Sequence, residues 1–468
     1  MTTPTGQATT FGGLGKLEWA PTNGPDDTNP TWVDITAYLR TEDTPLSITR
    51  GRQTELDTIQ PSQLTCVLDN TDNRFTFGIG TNWVPAKQIR YSETIAGQIF
   101  YLFAGNIEYP DIDDWQPVGY QEVKLTCTDR LTRLGRGRQF LSTLGAKILS
   151  ALPNDLRACF PLTDNSATSQ SDVGPLALGP VRVITVAHTS NYINPTPVVT
   201  PQGAVTLPGD DITPILFTPT VVPPAFGPFV GLTAQLAKTD LAVTVDTSTI
   251  SLVFWMWWNS GHTDDLFVVN FQNSSGTSAD LSFYRSSGTW RASFIAGATG
   301  VTLTVPTPPS QKWCLCALSM TIPSGTATFR LDANPPLTGA LGGAPPSSVT
   351  FGTMSNTADN FDGSLAYLQM YVGAGYDAAA HAAQFQAGLT GLEYQTTGQR
   401  TNTILDYAGV PGSARAVDPG VSYMQKAALS TDTPGTALQD AVDTERGRGF
   451  IDGQGRYVFH DRTRIYNV

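Results

Sequence analysis

Histidine and cysteine are scarce in this chain, with four and five residues among 468. The four histidines, His188, His262, His381 and His460, are not spaced with a cysteine as zinc sites require, which argues against a zinc centre. Five cysteines is an odd count, and Cys314 and Cys316 stand two apart in a strand-like run. Their side chains share one face, a poor disulfide geometry. Buried free thiols in a protein made in a reducing cytoplasm are therefore expected. No apolar run of about eighteen residues exists, so no transmembrane segment is expected. The opening MTTPTGQATT lacks the basic start and apolar stretch of a signal peptide. Positive charge is also short. With 28 Lys+Arg against 40 Asp+Glu the net charge is -12, which argues against nucleic-acid binding, sequence-specific or otherwise.

What is present points to several packed cores. Hydrophobic residues make up 40% of the chain and aromatics 10%, and the length calls for two or three domains. Charge density divides the chain. Residues 1–150 hold 13 Lys+Arg and 17 Asp+Glu, residues 151–395 hold 7 and 15, and residues 396–468 hold 8 and 8. The two ends match and the long middle is sparse, a pattern that suggests one domain inserted into another. The expected organisation is thus an N-terminal β-domain over 1–150, an inserted domain over 151–395, and a continuation of the first over 396–468.

The N-terminal part reads as strands. Residues 1–30, rich in Thr, Gly and Pro, look like a loosely held arm, with order beginning at Trp32. In LSITRGRQTELDTIQPSQLTCVLDNTDNRF, from Leu46 to Phe75, a charged turn at Arg50-Gly51-Arg52 precedes an alternation in which Leu64, Cys66 and Leu68 share a face. Asp69 to Asn73 then end the strand, because Asx side chains bond their own backbone. Further strands follow at 88–91 and 99–107, with Ala96-Gly97-Gln98 as a hairpin turn, and Val123, Leu125 and Cys127 alternate in another. Residues 140–152 read as a helix with Leu141, Leu144, Ile148 and Leu152 on one face, although Gly145 weakens it. Asp111, Asp113 and Asp114 cluster beside Trp115, and with no further polar partner they read as a solvated loop rather than a catalytic pair.

In the C-terminal part, Arg400 to Gly409 reads as a helix ended by Gly409 and Pro411. Thr433-Pro434 opens another, with Ala437, Leu438, Ala441 and Val442 inward. Gly449 to His460 reads as a hairpin turning at Asp452-Gly453.

Two of these stretches carry a resemblance. ITRGRQTELDTIQPSQLTCVLDNTDNRFT, together with TILDYAGVP and ALQDAVDTERGRGFIDGQGRYVFHDR, resembles the minor tail or baseplate hub proteins of long-tailed bacteriophages. Relatives usually continue with further strands past this last hairpin, whereas this chain stops at Val468. The resemblance implies a virion protein of the tail tip, assembled in the host cytoplasm. It also implies a ring of three or six copies and partners among other tail-tip and tail-tube proteins. Arg50, Arg52, Asp69, Asn70 and Arg74 are the candidates for hub assembly contacts.

The middle part resembles a laminin-G or concanavalin-A-like jelly roll. The resemblance rests on Ala158 to Leu162, on Ser251-Leu-Val-Phe-Trp-Met-Trp-Trp258, on Trp313 to Leu318 and on Phe361 to Tyr371, in that order, followed by a helix at 378–387. The run at 251–258 is apolar on both faces, as a strand buried on both sides would be. The fold class expected overall is mainly β: a discontinuous barrel or sandwich with a few helices, carrying an inserted jelly roll.

Such folds bind sugars, and indole faces stack on them. Core packing is the reading for Trp255 to Trp258. Trp290, after the turn Ser286-Ser287-Gly288, is the ligand candidate, with Asp264 and Asn270 beside it. No cofactor or metal is expected, with one exception that the resemblance admits. That is calcium, held through the loop oxygens of Asp264, Asp265, Asn270, Asp359 and Asp362. A glycosidase needs two facing carboxylates, and residues 151–395 hold a single glutamate, Glu393, so no enzyme is expected. The function expected is a structural tail-tip protein with an outward module for host surface polysaccharide. The alternatives are a distal-tail ring adaptor or a tail-borne glycoside hydrolase. A secreted adhesin is disfavoured by the missing signal peptide.

Overall fold

The computed structural model describes residues 14–40, 45–51, 60–76, 82–108, 122–152, 154–162, 169–175, 181–189, 198–200, 206–211, 215–218, 230–238, 243–245, 248–258, 266–272, 279–322, 324–342, 349–351, 353–355, 363–374 and 376–466. The fold is mainly β, in two compact units. The first comprises 1–140, 394–425 and 431–468; the second comprises 141–393 and 426–430.

In the first unit an eight-stranded sheet runs in the order Val33–Asp34, Leu14–Ala20, Gln88–Ile95, Gln98–Ile107, Glu122–Thr128, Gln60–Asp69 and Leu39–Arg40, with Ser47–Gly51 also paired to Gln60–Asp69. The alternation read from the sequence sets the buried face. Leu64, Cys66 and Leu68 meet Val123, Leu125 and Cys127 across antiparallel pairs, over a core closed by Phe75, Trp83 and Phe103. Ala96 and Gly97, at φ 51° and 81°, make the tight turn of the hairpin at 88–107, whose twist needs positive φ at both positions. The strand Leu14–Ala20 corrects the loosely held arm expected up to residue 30. Leu17 is buried, and the strand pairs along its length with Gln88–Ile95.

The returning segments of this unit are helical and then stranded. Helix Thr397–Tyr407 starts three residues before the expected Arg400, because Thr396 and Gln399 form a reciprocal capping box. Helix Pro434–Glu445 is capped by Thr433, with Pro434 in its first turn. Arg448–Ile451 and Tyr457–His460 form the expected hairpin, and Arg415–Val417 adds in parallel to the latter. The Asp452 carboxylate accepts from the amides of Gln454 and Arg456, both at 2.9 Å, which shapes the turn.

The second unit is a β-sandwich with a helical layer. One eight-stranded sheet ends with Leu266–Gln272, Ala279–Ser286, Thr289–Ala296 and Thr299–Thr304. The other centres on Gly363–Val372, Thr249–Trp258 and Cys314–Thr321. The doubly apolar run now has its cause. Leu252, Phe254, Met256 and Trp258 face the opposite sheet, while Val253 and Trp255 face helices Thr143–Ala151 and Ala378–Thr390. Leu144 and Ile148 belong to that second layer. Residues 141–150, expected in the N-terminal domain, therefore fold with the sandwich. All five cysteines are buried free thiols.

A polar clamp stitches this unit together. Asp211 accepts from the amides of Thr143 and Ser430 at 2.9 and 2.5 Å. Thr143 Oγ1 donates to Ala427 O at 3.1 Å, and Lys426 Nζ to Asp210 O at 2.6 Å. The Asp210 carboxylate, 1% exposed, accepts from the Tyr367 hydroxyl, which also lies 2.6 Å from Ser142 Oγ. Burial raises the Asp210 carboxyl to about 6, against the hydrogen bonds from Tyr367 and Ser142 that favour its charge.

Candidate functional site

The residues singled out by sequence do not converge on one site. Trp290 is 1% exposed and lies in the sandwich core. Its ring stacks on Phe283 at 5.1 Å between centroids and meets Trp258 edge-on at 5.2 Å. This corrects its assignment as a sugar platform. The strand Thr289–Ala296 alternates, and Trp290, Ala292, Phe294 and Ala296 all take its inward face. Asp264, Asp265, Asp359 and Asp362 lie outside the described residues, as does the cluster Asp111, Asp113 and Asp114. Asn270 sits on the strand Leu266–Gln272. Among the described residues, no group of three or more His, Cys, Asp and Glu is placed to hold a metal ion.

Two of the assembly candidates bond local backbone. Asp69 and Asn70 build a turn: Asp69 Oδ1 accepts from Thr71 N at 3.0 Å, and Asn70 Oδ1 from Phe75 N at 2.7 Å. Arg74 covers the Tyr38 ring at 4.3 Å and pairs with Asp72 at 2.8 Å. Arg50 is exposed on the strand Ser47–Gly51, away from that turn in the chain, and Arg52 lies outside the described residues.

A cleft of about 330 Å³ in the first unit gathers chemistry that the sequence did not announce. Its floor is the sheet, where Arg90 and Tyr101 stand on neighbouring strands. One wall is the loop carrying Asp27 and Trp32. The other is formed by Ala414 and the hairpin turn from Gly453 to Arg456, and Arg130 opens the helix at its edge. Gly453 is required there, since a Cβ would collide with the Tyr101 carbonyl.

Arg90 is fixed on three sides. Its guanidinium lies 4.2 Å from the Trp32 ring centroid and 5.2 Å from that of Tyr101, and its Nε donates to Glu18 Oε2 at 2.6 Å. Glu18 is 5% exposed and also takes Lys16 Nζ at 2.7 Å. Burial opposes the Glu18 charge, yet the bonds from Arg90 and Lys16 hold its pKa below the ordinary value. Arg456 is neutralised by Asp452, with 2.8 Å between Nη2 and Oδ2. Asp27 is occupied by Asn23 and the Asn29 amide, which lower its pKa. Arg130 differs from all of these. Its hydrogen bond is a long one, 3.5 Å from Nη1 to Ala414 O, and among the described residues no carboxylate pairs with it. Burial lowers its pKa, although the charge of nearby Asp26 works the other way. The cleft therefore offers one guanidinium clamped beside aromatic faces, Arg90, and one without an ion-pair partner among the described residues, Arg130. Its members come from residues 25 to 456, so no local pattern marks them.

No family model matches the chain, and no curated protein matches it. Similar solved structures exist at low similarity. One comes from a study of botulinum neurotoxin type C cell entry through two ganglioside molecules: 9% identity, 53% of this chain and 55% of that one, TM-score 0.34. The binding domain of Paraclostridial mosquitocidal protein 1 gives 8% identity, 52% and 55% coverage and TM-score 0.33. Domain 4 of an extracellular arabinanase from Geobacillus stearothermophilus, in complex with arabinotriose, gives 14% identity, 50% and 98% coverage and TM-score 0.32. The chain spans about half the length of the first of these. Likeness this distant carries no function across.

Proposed function

We propose that the chain is a structural protein of the tail tip of a long-tailed bacteriophage. In this reading the first unit is the hub piece and the inserted sandwich is the part that meets host surface glycans. The observation that supports it is the placement of the resembling segments. Leu46 to Phe75 stands near one end of the sequence, and Thr403 to Pro411 and Ala437 to Arg462 near the other, yet all three belong to one compact unit, interrupted by the sandwich. A host domain carrying an insertion is the architecture that the charge pattern and the tail-protein resemblance jointly call for.

The ring follows from cyclic symmetry, the usual closure of such assemblies. Native mass measurement on the full chain is expected to give three or six copies, and antibody labelling of particles to mark the tail tip. A stable monomer under all conditions, absent from particles, would sink the reading. The glycan role is tested separately by screening the full chain against host surface polysaccharides. With Trp290 in the core, binding should survive Trp290→Phe. Abolition of binding in a folded Trp290→Phe protein would return that residue to the ligand site.

A further inference from the structure

We infer that the first-unit cleft between Trp32 and Arg130 binds the acid group of an anionic saccharide, with Arg90 and Arg130 taking its oxyanion. The cleft is independent of the sandwich and of the glycan role proposed for it.

Three observations converge. The Arg90 guanidinium is preorganised: Glu18 holds its Nε edge and two aromatic rings fix its plane, so its terminal nitrogens have no partner among the described residues. A rigid planar fork of this kind matches carboxylate and phosphate geometry and loses little entropy on binding. Arg130 supplies a second positive charge without a carboxylate in a partly enclosed site, where a ligand anion restores the missing pairing. The other charged side chains of the cleft are already neutralised or hydrogen-bonded, Arg456 by Asp452 and Asp27 by Asn23.

The shape favours a sugar over a peptide strand. The floor strand Gln88–Ile95 is paired along its length on both sides, and Gln98–Ile107 meets Glu122–Thr128 only at Asn106 and Ile107, but beyond that pairing the turn residue Gly453 packs against the Tyr101 carbonyl, where an added strand would have to bond. The cleft volume falls within the roughly 300–1,000 Å³ of small-ligand sites. The rims of Trp32 and Tyr101 offer apolar faces beside the cations, suited to a pyranose ring that bears an acid.

The test is calorimetric titration of the full chain with three probes: a glucuronic acid disaccharide, glucose 1-phosphate and neutral maltose. Binding of one or both acidic probes, at least tenfold tighter than maltose and weakened by added salt, is expected. The two acidic arms separate a carboxylate from a phosphate preference. Arg130→Gln should weaken that binding by about 10- to 100-fold, the range set by losing a hydrogen bond to a charged group. Arg130 holds no ion pair among the described residues, so folding of the variant should be unaffected, checked by an unchanged melting temperature. Trp32→Ala is the second variant and should also weaken binding. Equal binding of all three probes, or no binding by any, overturns the proposal. So does a folded Arg130→Gln protein that keeps wild-type affinity.

Discussion

Replacing Asp210 with asparagine isolates a buried titration inside the sandwich. The carboxyl is raised from 3.8 to about 6, chiefly by burial. A carboxyl raised on folding keeps a proton that the unfolded chain gives up. Its favourable contribution is full below pH about 4 and is lost as the pH rises through about 6. Roughly two pH units correspond to about 3 kcal/mol. The substituted amide cannot ionise, and it can still meet the Tyr367 hydroxyl and the Leu144 amide that the carboxylate now serves. The stability of Asp210→Asn relative to wild type should therefore rise by about 3 kcal/mol between pH 4 and pH 7. Asp332, also raised to about 6 by burial, and His381, lowered to about 4 by burial, titrate in the same window with opposite signs. Neither is removed by the substitution, so the difference between the two proteins reports Asp210. Urea unfolding followed by tryptophan fluorescence at several pH values measures it, because Trp255, Trp257, Trp258, Trp290 and Trp313 all belong to this unit. A stability difference that does not change with pH, or falls as pH rises, would refute the reasoning.

Trp290→Ala should lower sandwich stability by about 3–5 kcal/mol in the same assay, as core Trp truncations do; an unchanged midpoint would place the indole outside the core. Thiol reagents at pH 8 should leave the native chain unmodified and label five sites once it is denatured, since all five thiols are buried and burial pushes that of Cys66 up to about 12. Glu445→Ala should cost about 2–5 kcal/mol in the first unit. Glu445 is fully buried and accepts from Thr397 Oγ1 at 2.6 Å and from the amides of Ser422 and Val421 at 2.9 and 3.1 Å, donors that alanine would strand. Burial raises the Glu445 pKa, but these bonds outweigh it and hold the value below 4.5. The loss should thus be full above pH about 4.5 and shrink as acid protonates the wild-type carboxyl.

The sequence was most legible where one force dominated. The run Ser251 to Trp258 has no polar face, and the structure buries both faces, one on the opposing sheet and one on helices. Cys66 and Leu68 declared their face by alternation, and Thr433-Pro434 declared a helix start. Trp290 reads as exposed because it follows a turn, although Trp290, Ala292, Phe294 and Ala296 recur at period two and mark an inward face. Thr396 and Gln399 are hard to read as a capping box because the polar stretch Arg400 to Thr403 separates them from Ile404, the first apolar residue of the helix. The cleft was illegible for a different reason. Arg90 and Arg130 look like ordinary surface cations until the loop at 25–32 and the turn at 453–456 are folded over the same stretch of sheet.

The clamp at Asp211 changes what it means to call the sandwich an insertion. The chain does not enter it once and leave once. It crosses between the units after Phe140, Glu393, Gln425 and Ser430. The return visit, Lys426 to Ser430, is short, but it is bonded to Gly391, Asp210, Asp211 and Thr143. Excising 141–393 would leave five residues shaped for a partner that is gone, and grafting a foreign sandwich at those two points would leave them unmatched. An exchange of this module between proteins has to carry a distant pentapeptide with it, so residues 426–430 should inherit their ancestry from the sandwich rather than from the helices that flank them.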